Sequence, residues 1–322
     1  FEVSAPVSQD VVRTVVAENW GLAVGKCIKA SQNHTFLATD EENGNAFIVR
    51  VTPDPENTRW QQFTDELFLI NYLAGLGLKV ATPVETKTEK NNFLIRAADL
   101  TLSVFHFVRG KSLPYVEMRW MTDKAVVIAT GRWLGQFHNL SKKFRRDNPD
   151  VAERMREWNT LHDGVMKDIQ VHESDVATVN NDEKWGVLHG DLNPSNWFYC
   201  EEEDSLYVFD WDQCQQGWFM MDIAQCCHAP VSLEKHGMAV TGTPVPEADS
   251  EQYITWIKEG YESEAGEGSL DCEELHRMLK YREEFYYLFA IRAQNETVPP
   301  DMKPFIDYIY SLVQKERQHT KS

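Results

Sequence analysis

The sequence predicts an α+β chain in two lobes, a strand-rich one followed by a mainly helical one. Three observations predict this. Residues 1–108 carry short apolar runs of period two around one internal helical stretch. Beyond a polar connector, "RGKSL", the apolar residues recur at helical spacing over long segments. One compact β-like island, residues 185–213, interrupts those helices. A chain of 322 residues, 42% hydrophobic, is long enough to bury two such bodies, 1–108 and 109–322.

The elements follow in order. "SQDVVRTVVAEN" reads as an amphipathic helix with Ser8 as its N-cap. "HTFLATD" and "NAFIVRV" flank "EENGN", a hairpin turn signal. In "RWQQFTDELFLINYLAGLG", Phe63, Leu67, Ile70 and Ala74 share a helical face, and Gly75 and Gly77 suit its end. "VATPVET", "NNFLIRA" and "LTLSVFHFV" read as three more strands. Past the connector, "DKAVVIATGRWLGQFHNLSKKF" and "DVAERMREWNTLHDGVMKDI" read as helices. After the island come "WFMMDIAQCCHA", "DSEQYITWIKEGYES", "CEELHRMLKYREEFYYLFAIRAQ" and "PFIDYIYSLVQKERQ", also helical. Residues 237–250 form a Gly/Pro-bearing loop suited to a flexible cover.

Bulk composition narrows the partners. With 32 Lys+Arg against 50 Asp+Glu the net charge is −18, which argues against nucleic acid. Screening over about 8 Å leaves a polyphosphate ligand open, provided its site carries its own cations. Mean hydropathy is −0.46, and no apolar run reaches the roughly 18 residues of a membrane span. The first residues lack a basic stretch followed by an apolar one, so no signal peptide is expected. The six cysteines show no C-x-x-C pair and no framework spacing, which predicts reduced thiols in a cytoplasmic protein. Oligomeric state is not readable.

The chemistry concentrates in "VLHGDLNPSNWFYCEEEDSLYVFDWD", residues 187–212. An acidic turn, "EEEDS", separates strands "WFYC" and "LYVF", so a hairpin brings Asn196, before the first, near Asp210, after the second. An amide carbonyl and a carboxylate there suit a hard cation such as Mg²⁺, completed by water and phosphate oxygens. Asp191 lies one loop away and can accept a proton from a substrate hydroxyl. The spacing Asp-x-x-x-x-Asn with a later Asp is that of the phosphoryl-transfer template.

"HGDLNPSN" with "VFDWD", together with "GRWLGQFHNLS" upstream and "DIAQ" downstream, resembles the aminoglycoside phosphotransferase and choline kinase group. The resemblance implies a protein-kinase-like two-lobe fold and ATP-dependent phosphorylation of a small molecule. It implies Asp191 as catalytic base, Asn196 and Asp210 as Mg²⁺ ligands, and Asp212 as an additional metal group. His189 would be structural, and Asp222 would brace the catalytic loop. In the first lobe, Ile48 and Arg50 share one strand face. The resemblance implies that Ile48 covers the adenine and Arg50, in place of the usual Lys, holds the α/β-phosphates. Glu66, in an apolar helix stripe with Ile70 and Leu73, wants a buried partner, and Arg50 is the evident one. Phe107 and Val108 would offer backbone groups to the adenine. The segment "IKASQNHTFLATD" departs from the pattern, since the turn expected over the phosphates has no glycine.

The acceptor would be a hydroxylated small molecule: an amino alcohol, aminoglycoside, sugar or hydroxy amino acid. The acidic helical lobe fits a cationic one. Two other functions compete. "LYVFDWDQC" matches the strand-then-Asp-x-Asp start of a haloacid-dehalogenase-type phosphohydrolase, with Asp210 as nucleophile and Asp212 as acid. That reading requires a parallel sheet, for which no strand–helix alternation follows. A catalytically silent nucleotide-binding protein is the third reading, supported only by the glycine-free turn.

Overall fold

A computed structural model describes residues 7–30, 33–158, 168–236, 249–294 and 303–319. The chain divides into two compact units, Glu2–Val108 and the segment from Arg109 to Ser322.

The first unit opens with α1 (Gln9–Trp20), which Ser8 starts through its backbone carbonyl rather than its side chain. A five-stranded antiparallel sheet follows, with β1 (Ala23–Ala30), β2 (His34–Thr39), β3 (Ala46–Pro53), β4 (Leu94–Ala97) and β5 (Leu100–His106) in the order β1-β2-β3-β5-β4. The β2–β3 turn closes as its residues require: Gly44 takes φ +75, and Asp40 accepts from Glu42 N and Asn43 Nδ2. Strand alternation then divides the two faces. Phe47, Val49, Val51, Leu102 and Val104 join Val12, Val16 and Trp20 of α1 in one core cluster. Ile48 and Arg50 point to the opposite face, against which α2 (Trp60–Gly75) sets Phe63 and Glu66.

Two strand expectations change. Residues 80–86 make only isolated pairings: Val84 N donates to Val104 O and His106 N to Thr82 O, while Pro83 between them has no N–H to give. Conversely, β1 has no clean alternation to announce it, being an edge strand whose register slips at Cys27.

The second unit is mainly helical. Its long helices are α3 (Lys124–Asp147), α4 (Phe219–His236), α5 (Ser250–Ala265), α6 (Cys272–Ala293) and α7 (Lys303–His319). Aspartates open three of them: Asp123, Asp249 and Asp271 each accept a first-turn amide. α3 and α5 cross closely because glycines meet backbone there. A Cβ on Gly131 would lie 2.2 Å from Ile257 O, and one on Gly260 2.1 Å from Ile128 O. The island resolves into two antiparallel pairs, β6 (Trp185–Leu188) with β9 (Gln215–Trp218), and β7 (Trp197–Cys200) with β8 (Ser205–Val208).

The helix expected over 150–169 stops at Arg154, and Met155 is extended. The reason is pairing with the island: Gln216 N donates to Arg156 O, and Glu157 bridges Gln216. Residues 159–167 of that stretch lie outside the described residues, as do 237–248 of the expected cover loop. Among the described residues no helix is long and apolar enough to cross a membrane.

The glycine crossing makes a direct prediction. Gly131→Ala forces the α3 and α5 backbones apart and costs about 1–3 kcal/mol, read as a lower denaturation midpoint.

Candidate active site

In the first unit, Arg50 Nη1 donates to Glu66 Oε1 at 2.6 Å, and both side chains are buried. The guanidinium also rests on the rings of Phe63 and Phe105, 5.1 and 5.2 Å from their centroids. A buried carboxylate and a buried cation are thus each compensated by the other, and the aromatic faces fix the cation's direction. Ile48 is half-buried on the same strand face. Phe107 is exposed, and its N–H donates to Ala46 O at 3.2 Å, so that amide serves the sheet rather than a ligand. Val108 ends the unit, half-buried. Residues 31–32 of the glycine-free turn lie outside the described residues. Asn33, just after them, accepts from Thr52 Oγ1 at 2.7 Å through its side-chain oxygen.

In the second unit, the loop from His189 to Asn196 hangs on one carboxylate. Asp222, in the first turn of α4, accepts from His189 N and Gly190 N, each at 2.8 Å. The sharp entry requires Gly190, whose φ is +82 and whose Cβ would meet Gln213 O at 2.3 Å. His189 then locks the far side of the loop. Its Nε2–H donates to Phe209 O at 3.1 Å, leaving Nδ1 to accept from Asp191 N at 3.3 Å. Behind Asp222 stands His138, whose Nε2 lies 3.5 Å from Asp222 Oδ2 and whose Nδ1 meets the Tyr261 hydroxyl at 3.1 Å. Burial lowers the His138 pKa, so the ring is neutral. Burial also works against the Asp222 charge, but the hydrogen bonds and nearby imidazoles outweigh it and hold this carboxyl below its usual range.

These braces aim Asp191. Its Oδ2 accepts from Asn196 Nδ2 at 3.0 Å and its Oδ1 from Gln225 Nε2 at 3.2 Å. Burial pushes the Asp191 carboxyl above its ordinary range, and the nearby Asp210 charge adds to that push. Arg282, Asn193 and His189 pull the other way. A half-buried carboxylate with a raised pKa, held by two amide donors, is suited to proton acceptance.

The metal-capable atoms follow from the same contacts. Asn196 Nδ2 serves the Asp191 carbonyl and carboxylate, so the amide oxygen is the atom left for a cation. Phe209 N donates to Asn196 O at 2.9 Å, which extends the β7–β8 ladder and makes Asp210 the next residue past the pair. Asp210 takes the left-handed conformation, φ +66, turning the chain out of the strand. Among the described residues no three His, Cys, Asp or Glu side chains gather as a metal centre. One amide oxygen and one carboxylate instead fit a hard cation that keeps water and phosphate ligands. Asp212 is half-buried two residues on, and its carbonyl accepts from Arg156 Nη2.

The phosphohydrolase alternative does not survive this geometry. Asp210 and Asp212 follow a strand of a two-stranded antiparallel hairpin, and every paired named strand among the described residues is antiparallel.

Sequence reasoning assigned no role to Gln225 or Arg282. Gln225 sits in "DIAQ", one turn after Asp222 on α4, and gives no compositional sign of its aim. Arg282 did leave a sign: it occupies an α6 stripe with Leu275, Met278 and Phe285, all buried. A lone cation in an apolar stripe is the same signal that singled out Glu66.

A family model described as the phosphotransferase enzyme family (APH) matches residues 28–263. Among curated proteins, an uncharacterized protein of Synechocystis sp. is 24% identical over 200 residues, 56% of this chain. The chain spans about half, 53%, of that relative's length. Among solved structures, amicoumacin kinase in complex with AMP-PNP and Ca²⁺ superposes with a TM-score of 0.72 at 18% identity, covering 96% of this chain and 94% of that one. A microcompartment-associated aminopropanol kinase gives 0.59 at 15% identity, covering 94% of each chain. The fold is therefore kinase-like.

The brace on the loop is directly testable. A carboxyl held below its unfolded pKa stabilises the fold above about pH 4 and loses that contribution as pH falls through the depressed native value. Asp222→Asn should cost about 3 kcal/mol at neutral pH, with the gap to wild type closing below about pH 4. Hydrogen exchange at the His189 and Gly190 amides should accelerate in the variant.

Proposed function

Because the chain belongs to the phosphotransferase enzyme family, we propose that it transfers the γ-phosphoryl group of ATP to a hydroxyl of a small molecule. Residues 1–108 bind the nucleotide in this reading, and 109–322 carry catalysis and the acceptor. The observation that carries it is Asp191, half-buried, raised in pKa and aimed by Asn196 and Gln225 on a loop tied to Asp222.

Asp191 accepts the acceptor's hydroxyl proton as the oxygen bonds to the γ-phosphorus and the bond from that phosphorus to the β,γ-bridging oxygen breaks, releasing ADP. Asn196 and Asp210 hold Mg²⁺, with Asp212 as an additional carboxylate near it. Mg²⁺ supplies charge neutralisation on the phosphoryl oxygens. Arg50, held by Glu66 and two aromatic rings, fixes the α/β-phosphates, and Ile48 covers the adenine. Phe107 and Val108 line the adenine, contributing the Val108 amide and the two carbonyls, since the Phe107 amide is already bonded to Ala46. Positioning and electrostatics account for most of the rate in such a scheme. The AMP-PNP and Ca²⁺ bound by amicoumacin kinase support a nucleotide and a divalent cation here. Cysteines without framework spacing, with Cys226 and Cys227 buried as small apolar residues, support a cytoplasmic location.

The test is coupled ADP release over amino alcohols, aminoglycosides, sugars and hydroxy amino acids. Asp191→Asn should lower kcat by about 10²–10⁴ while nucleotide affinity is kept. Asp210→Ala should weaken Mg²⁺–nucleotide binding. The base must be ionised, so kcat/KM should rise with pH through an apparent pKa above the usual aspartate value of about 4. Equal turnover by wild type and Asp191→Asn would refute the base assignment. Nucleotide binding without ADP release on any acceptor would favour the silent reading.

A further inference from the structure

A cavity in the second unit adjoins the Asp191 loop at Gly190 and is backed by Asp222. Trp158, Leu188, Met221 and Phe285 give it apolar walls, and Gln215 and Arg282 are its polar side chains besides Asp222. Asp222 is already committed to the His189 and Gly190 amides.

Arg282 makes no direct ion pair and is compensated only in part, by the nearby Asp191 charge. It is 8% exposed, and among the described residues it has no ion-pair partner. Its one hydrogen bond is a long one, Nη2 to the Tyr286 hydroxyl at 3.4 Å, and its Nε has no partner. The guanidinium lies against the rings of Phe285 and Tyr286, at 4.9 and 5.0 Å, so its in-plane N–H edge is what a ligand would meet. Gln215, 5% exposed, has a side-chain oxygen that is likewise buried without a partner. The carboxylates nearest it, Asp222 and Asp191, are already held by hydrogen bonds, and burial first, then Arg282, drives His228 down to about 3, so it is neutral. A buried cation with no direct ion pair is costly, and a planar fork of donors matches a carboxylate two bonds at a time.

Resting on the phosphotransfer reading above, we propose that Arg282 and Gln215 form the acceptor subsite for a carboxylate-bearing substrate, a small hydroxy amino acid. The carboxylate meets the Arg282 edge, and the ammonium group donates to the Gln215 side-chain oxygen. The hydroxyl then extends past Gly190, on the cavity wall, toward Asp191, the next residue. The subsite refines the expectation of a cationic acceptor drawn from the acidic helical lobe: the ammonium remains, and Arg282 adds a place for a carboxylate.

Acceptor pairs that differ only by the carboxylate test this: serine with ethanolamine, threonine with 1-aminopropan-2-ol, homoserine with 3-aminopropan-1-ol. Each is assayed for ADP release and, separately, for calorimetric binding, with wild type, Arg282→Gln and Arg282→Lys. Losing the charged contact should raise KM for the carboxylate member about 10–100-fold in Arg282→Gln, with partial recovery in Arg282→Lys. Wild type should prefer the carboxylate member of at least one pair by a similar factor. Equal or better use of the decarboxylated partners overturns the subsite. So does a uniform fall in kcat for all acceptors at unchanged KM, which would assign Arg282 to the transferring phosphoryl group. Arg282-dependent binding of the carboxylate members without any ADP release would sustain the subsite and sink the phosphotransfer reading. Neither binding nor turnover sinks both.

Discussion

The loop from His189 to Asn196 depends on a single buried carboxylate. Asp222 takes two adjacent backbone amides, His189 and Gly190, and so sets where Asp191 begins. Everything downstream inherits that position: the His189 ring seated on Phe209 O, the Asn196 amide folded back on Asp191, and the hairpin that leads to Asp210. Asp222 can remain charged inside the protein because two backbone amides donate to it, His138 Nε2 stands 3.5 Å away, and it sits in the first turn of a helix. A neutral His138 behind it adds an N–H without adding a charge to compensate.

Four buried charged side chains, in three arrangements, show how differently the molecule treats such groups. Arg50 and Glu66 compensate each other inside the first unit, at the cost of desolvating both. Asp222 is compensated by backbone. Arg282 has aromatic faces, one long hydrogen bond and the nearby Asp191 charge, with no direct ion pair among the described residues. The first leaves Glu66 Oε2 without a hydrogen-bond partner among the described residues, whereas the second commits both oxygens of Asp222. The third leaves interaction capacity unspent, which is how binding sites differ from braces.

Some of this was legible in the sequence. The β7–β8 hairpin was marked by its acidic turn, and pairing across it necessarily sets Asn196 beside Phe209 and Asp210 just beyond. Glu66 in an apolar stripe announced a buried partner, and Arg50, at alternating position from Val49 and Val51, was on the face to meet it. Other features were not legible. β1 slips register and carries polar residues on an edge, so no period betrays it. The helix expected beyond Arg154 ends because Arg156 and Glu157 pair with β9, a contact between segments some sixty residues apart. Gln225 and Arg282 act through where their helices lie, and local pattern is silent on that.

By itself the sequence determined the local chemistry: which residues turn, which alternate, which stripe is apolar, and which oxygen-bearing side chains a hairpin must bring together. Those properties depend on neighbours a few bonds or one strand away. Tertiary packing decided the rest. It placed α4 so that Asp222 reaches the loop and Gln225 reaches Asp191, and it placed α6 so that Arg282 borders the same cavity. Helix placement is set by the summed fit of many side chains and by close approaches such as Gly131 against Ile257. No short window of residues contains that sum.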